Sequence, residues 1–395
     1  MGKYLSKPNT SKQSSGRLTT DFHWGATSMQ GWRSSMQNAY TCEPNLGNLR
    51  TFGLFMVCDG YGGCLCAEKT AKEFPEFLLT QEPFSLLSDG DEYDKEQVRG
   101  AIIDAFLNFD KTLRTSPNME EMGCTATGVL TTPKHFFVFN LGHSRTVIQR
   151  QKKIIFATQD HKPYLPNERI RIEKAGGKIV RCRVNGRLNI SRSLGNLAMK
   201  KNTDCNWSDQ MVSSAPDVNV IERSKDEDEF IAIYCNGIAD PMTDEEILRF
   251  CNTRMPYKAR LKDLCEELVD FCCHRDAKNN MSVIMLKFNN ENKPADFDKM
   301  TQDEILDDKI RSITAEYVER AFRDRGSAYG WQVCFDKLNN IYGQSIFDQA
   351  QHTQGYGIDL KKGVIFKEFD ELTTSIRDAR RYEAYKALSH PPDNK

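Results

Sequence analysis

What this 395-residue chain lacks closes several classes of function. It has no run of 18 or more apolar residues, so no segment reads as a transmembrane helix. The N-terminus has no apolar stretch of the kind a secretory signal needs. Positive charge is not in surplus. The 54 Lys and Arg against 55 Asp and Glu leave a formal net charge of −1, which gives no basic field for a nucleic acid. A disulfide or zinc framework is missing too. The 13 cysteines are odd in number and irregularly spaced, and neither Cys64-Leu-Cys66 nor Cys272-Cys273-His274 has a second pair at finger distance. Free thiols in a reducing, cytoplasmic setting are expected.

What is present is ordinary for a globular chain: 39% hydrophobic and 28% charged residues, at a length that fills one large core and a smaller appendage. Residues 1–20 are polar and rich in Ser, Thr and Lys, and read as a mobile tail. The opening Met1-Gly2-Lys3-Tyr4-Leu5-Ser6 fits the pattern for N-acylation at Gly2. With Lys3, Lys7, Lys12 and Arg17 nearby, one acyl chain would give a marginal, reversible membrane contact. An unmodified tail is the alternative.

From residue 21 onward short β-rich runs dominate. Ala126–Thr132, His135–Leu141, Thr146–Arg150 and Ile154–Thr158 are separated by polar turns, with further strands expected at Glu229–Cys235 and Met281–Phe288. Helical periodicity marks Cys66–Leu79, Lys95–Leu113 and Lys258–Cys273. Antiparallel runs interrupted by a few long helices imply an α+β sandwich over 21–290. A polar linker at 291–299 and a small all-α region at 300–395, opened by the capping box Thr301-Gln-Asp-Glu304, would follow.

The chain's chemistry gathers around Thr51–Gly63, an apolar strand that runs into Asp59-Gly60-Tyr61-Gly62-Gly63. A strand delivering a carboxylate to its own end, before glycines that free the backbone, is a common start to a metal or phosphate site. Two other strands end comparably. Glu229–Cys235 runs into Asn236-Gly237 with Asp240 close behind, and Asn279-Asn280 precedes Met281–Phe288. Upstream, Gly31-Trp32-Arg33 is followed by Gln37-Asn38.

These segments, in this order, resemble the metal-dependent serine/threonine protein phosphatases of the 2C type. The resemblance extends through Gly123-Cys-Thr-Ala126, Asn140-Leu-Gly-His-Ser-Arg145, Gln159-Asp-His-Lys-Pro163, Ala175-Gly-Gly177, Arg183-Val-Asn-Gly186, Ser191-Arg-Ser-Leu-Gly195 and Asn280-Met-Ser-Val283. The N-terminal Met-Gly-x-x-Leu-x-Lys-Pro is similar to the animal alpha and beta isoforms. It implies two antiparallel sheets packed face to face with helices outside, and two Mn²⁺ or Mg²⁺ ions in the cleft. A metal-bridging water then attacks phosphoserine or phosphothreonine.

Transferred to this chain, most of that catalytic set is replaced. The resemblance puts Glu-Asp where Gln37 and Asn38 stand, histidine at Tyr61, and aspartate at His143, Asn196, Asn236 and Asn279. Asp59 with the Gly60 carbonyl, and Asp240, remain as residual metal positions. Arg33, implied to grip the substrate phosphate, is intact. Tyr61 stands where the family's general acid would be. A phenol is a poorer proton donor than imidazole, and the ring is expected to fill the cleft mouth.

At roughly 4 Å and an effective dielectric of about 20, one unit-charge attraction is worth about 4 kcal/mol. Each carboxylate exchanged for an amide forfeits that toward a hard cation. A dinuclear centre is therefore not expected, although one weak ion at Asp59 is an alternative. Gln and Asn keep the shape and hydrogen-bonding capacity of Glu and Asp, and they remove the mutual repulsion of bare carboxylates. The expectation is a pseudophosphatase that binds a phosphoprotein or other protein partner. The alternatives are a low-activity Mn²⁺/Mg²⁺-dependent phosphatase and a membrane-tethered adaptor.

Overall fold

A computed structural model describes residues 4–19, 21–255, 260–275 and 277–289. Gly2, the expected linker at 291–299 and the expected helices of 300–395 lie outside the described residues.

The chain begins with β1 (Tyr4–Leu18), β2 (Phe22–Arg33), β3 (Ala39–Glu43), β4 (Gly53–Cys58) and β5 (Gly60–Tyr61). Two helices follow, α1 (Leu65–Leu79) and α2 (Lys95–Thr112). Next come β6 (Gly123–Cys124), β7 (Ala126–Thr131), β8 (His135–Leu141), β9 (Ser144–Arg150) and β10 (Lys153–Ala157). A less regular stretch carries α3 (Pro166–Lys174), β11 (Ile179–Val180), β12 (Arg183–Val184) and β13 (Leu194–Gly195). The described region closes with β14 (Asp217–Glu222), β15 (Asp228–Cys235), α4 (Asn236–Ala239), α5 (Asp244–Arg254), α6 (Leu261–His274) and β16 (Met281–Phe288).

Two large sheets form, ordered β1-β2-β16-β15-β9-β10 and β14-β8-β7-β4-β3, and every pairing between these strands is antiparallel. β4 shows why they stack. All six of its residues are buried, and the period of two sends Phe55 and Val57 into the core shared with the other sheet. Leu54, Met56 and Cys58 point the opposite way, into a second core built with α1 and α2. Phe22 of β2 meets Phe55 edge-on at 5.6 Å between ring centroids, which ties the sheets together. α5 and α6 cover the outer face of the first sheet, with Cys265, Leu268 and Val269 buried. The expected α+β sandwich flanked by helices is the fold.

The N-terminal segment departs from the expectation of a mobile tail. Tyr4–Leu18 is an edge strand on β2, with Lys12 opposite Met29 and Leu18 opposite His23. Its composition is too polar for a core, but an edge strand needs only its backbone to pair. Side chains add to the hold: Lys12 pairs with Asp270 at 2.7 Å, and Thr27 Oγ1 donates to Ser14 Oγ at 3.1 Å. Helix α5 was also unforeseen. Its signal lies in the chain, since Thr243 and Glu246 close a reciprocal capping box.

Candidate functional site

Four loops converge where β2, β4 and β15 end and β16 begins. Asn280 clamps them. Its Oδ1 accepts from the Gln37 backbone N–H at 2.9 Å, and its Nδ2 donates to the carbonyls of Gln30 at 2.8 Å and Ser35 at 3.0 Å. Two glycines permit the approach. A β-carbon on Gly60 would stand 2.2 Å from the Gln37 carbonyl oxygen, and one on Gly237 2.1 Å from that of Asn280. No side chain fits at either position, so both must be glycine.

Asp59 emerges from β4 into this junction. Its backbone is fixed by Thr125, which accepts from the Asp59 N–H through Oγ1 at 3.3 Å and donates its own N–H to the Asp59 carbonyl at 3.0 Å. The carboxyl is pushed up to about 7. Burial is the main cause and the negative charge of Asp240 adds to it, while Arg33 and the backbone N–H of Asn236 oppose. Asp240 in turn accepts from Asn279 Nδ2 at 3.1 Å through Oδ2. The other end of the same amide, Asn279 Oδ1, accepts from the Arg33 guanidinium. Asn279 therefore bridges a cation and an anion. On its other side the Arg33 guanidinium lies 5.4 Å from the centre of the Tyr4 ring.

Asn38 Nδ2 donates to Ser282 Oγ at 3.3 Å, and the side chain is 8% exposed. Its Oδ1 and the Oδ1 of Asn236 are both buried without a hydrogen-bond donor. Lys162, which the sequence reading did not single out, belongs here as well. Burial lowers its ammonium below the ordinary lysine value, against the opposing charges of Asp160 and Asp240.

Three expected positions have other partners. His143 Nε2 lies 3.2 Å from Asp160 Oδ2, beside an Arg145 contact at 3.4 Å to the other oxygen. Burial would raise the Asp160 carboxyl, but the His143 hydrogen bond and the charges of His143 and Arg145 outweigh it, so it sits below the usual range. Asn196 takes a left-handed backbone, φ 50° and ψ 45°, which asparagine tolerates, and donates its N–H to the Met122 carbonyl at 2.6 Å. Tyr61 is half-buried as a residue, and its hydroxyl turns inward. Tyr61 Oη is buried without a partner beside Ser193, against the bare α-carbon of Gly123, where a β-carbon would stand 2.6 Å from it and 2.3 Å from Asn196 Nδ2. Burial holds that phenol well above its ordinary value, so it is a weak proton donor.

Known proteins resemble this chain. The family model for protein phosphatase 2C covers residues 22–281. The chain belongs to the protein phosphatase 2C family. It is 35% identical over 329 residues to human protein phosphatase 1B, covering 81% of this chain and 68% of that protein. Bovine protein phosphatase 1A is 34% identical over 325 residues, covering 81% and 84%. Among solved structures, a phosphatase from Toxoplasma gondii has a TM-score of 0.60 at 20% identity, covering 71% of this chain and 96% of that one, a likeness of fold.

Phosphatases of the 2C family use Mn²⁺ or Mg²⁺. Among the described residues, no three His, Cys, Asp or Glu side chains gather into a metal-holding group. The oxygens without a donor are amide carbonyls at Asn38 and Asn236, and of the two carboxylates Asp240 is already engaged by Asn279. That donor set does not fit two divalent ions, which favour several charged oxygens.

Proposed function

We propose that this member of the protein phosphatase 2C family is a binding protein. It holds a phosphorylated serine or threonine segment of a partner at Arg33 and does not hydrolyse it. The Arg33–Asn279–Asp240 chain carries the reading. The family resemblance implies a metal-binding aspartate at residue 279. The amide there joins a guanidinium to a carboxylate, so charge balance is met within the protein. Arg33 keeps further N–H donors with the planar geometry that suits a phosphate. The chain would work in the cytoplasm, with an acylated Gly2 adding weak membrane contact. No helix among the described residues is long and apolar enough to cross a membrane.

The test is a titration of the metal-stripped protein with a fluorescent phosphoserine peptide, beside a phosphate-release assay with Mn²⁺. Saturable binding that weakens at least tenfold in Arg33→Ala, with no release, supports the reading. Binding unaffected by Arg33→Ala, or metal-dependent release, overturns it.

A second reading draws on the donor-free carbonyls of Asn38 and Asn236. Together with Asp59 they offer three oxygens to a single weakly held ion, which would support slow hydrolysis. Mn²⁺-dependent turnover abolished by Asp59→Asn would establish it.

A further inference from the structure

An open groove of about 490 Å³ lies beside α2, and none of its lining residues belongs to the Asp59 junction. Its lining includes Arg114, Leu197, Lys201 and Trp207. Trp207 is fixed from below, because its Nε1 donates to Asp110 Oδ2 at 2.9 Å. Asp110 is wholly buried. It also accepts from Lys200 Nζ at 2.5 Å and from the Gly195 N–H at 2.7 Å, so the carboxylate that anchors the indole is paired and hydrogen-bonded. The indole is a preset platform.

Arg114 lies on that platform, with its guanidinium carbon 4.4 Å from the ring centre. It is exposed and has no carboxylate partner among the described residues. Contact with the ring restrains the guanidinium while the side chain stays exposed, and a guanidinium can take a carboxylate with two hydrogen bonds. Lys201 adds a second positive charge. Its pair with Glu120 at 2.8 Å joins side chains 66% and 55% exposed, and such pairs contribute little and exchange readily. Leu197, 7% exposed, supplies the apolar base.

We propose that this groove docks an acidic peptide segment of a partner protein. A carboxylate would sit on Arg114 and the neighbouring apolar side chain on Trp207 and Leu197. The charge of the rim selects an acidic partner, and the fixed indole keeps the ordering cost on the receiving side small. The site shares no residue with the Arg33 junction, so it stands or falls separately from the phosphosegment reading.

The full chain labelled with 5-fluorotryptophan tests it by fluorine NMR, with the Trp207 signal assigned from Trp207→Phe. The probes are the tetrapeptide Glu-Glu-Leu-Phe and its counterpart Lys-Lys-Leu-Phe. The expected result is a saturable shift of the Trp207 signal by the acidic peptide at millimolar concentration, lost in Arg114→Glu and weakened several-fold in Lys201→Glu. Both substituted side chains are exposed, and an unchanged melting temperature will confirm that each variant is folded. No saturable shift, an equal response to the lysine peptide, or a response that survives Arg114→Glu overturns the proposal.

Discussion

Asp240 adds its negative charge to the burial of Asp59, and together they carry the Asp59 carboxyl up to about 7. An acid whose folded value lies above its unfolded value, near 3.8, binds its proton more tightly in the native state. Stability is then greatest at low pH and is lost as pH rises through about 7. Asp59→Asn should remove this slope and raise stability above pH 8 by roughly 2–4 kcal/mol in metal-free buffer. Urea melts of both proteins from about pH 4 to about pH 9 will check it, and curves that stay parallel between the unfolded and folded values would sink the assignment.

Returning carboxylates to the junction should have the opposite effect. The triple variant Asn38→Asp, Asn236→Asp, Asn279→Asp places three more acids beside Asp59 and breaks the bridge to Asp240. It should melt several degrees lower than the wild type in EDTA and recover with millimolar Mn²⁺, because a ligand that binds only the native state raises the midpoint. The wild-type midpoint should be the same in both buffers. A wild-type rise with Mn²⁺ would instead favour the single-ion reading.

Gly60→Ala brings a β-carbon to 2.2 Å from the backbone oxygen of Gln37, a contact that no rotamer relieves. The cost should be at least about 3 kcal/mol, a large share of the marginal stability of a typical domain. Gly100→Ala, with nothing within 4 Å of the added carbon, is the matched control in helix α2 and should be neutral or slightly stabilising. Denaturant midpoints compare the two.

A second acid works in the usual direction. Glu168 in α3 is met by Arg192 Nη2 at 2.6 Å and Arg171 Nη1 at 2.8 Å. Burial pulls it upward, but the Arg192 hydrogen bond and the two guanidinium charges prevail and hold it at about 2. Its contribution is present above an unfolded value near 4.5 and fades as pH falls toward 2. Glu168→Gln should cost roughly 2–3 kcal/mol at pH 7 and flatten the acid limb of the stability profile. An acid limb as steep as that of the wild type would refute the role.

Much of the sandwich can be read directly from the residues. His135–Leu141 and Met281–Phe288 are β-rich runs with turns at both ends, and each forms the strand expected of it. β1 was hidden because pairing along an edge leaves no apolar pattern. At the junction, the motifs name the residues but not their partners. Asn279 answers to Arg33, 246 positions earlier, and no local rule encodes that pairing. The pairing of His143 with Asp160 is likewise written in no local rule. The inward turn of the Tyr61 hydroxyl depends on Gly123, a residue notable only for the space it leaves.

The edge position of β1 also has a consequence for the life of the chain. β2 is a twelve-residue strand whose far side is paired to β16 and whose near side is covered by β1 alone. Strip away residues 4–18 and a row of unpaired amides and carbonyls on a mostly apolar strand lies open to any passing polypeptide. The polar, lysine-bearing segment thus acts as a guard against self-association, and a shortened protein should fail first by clumping with its own kind.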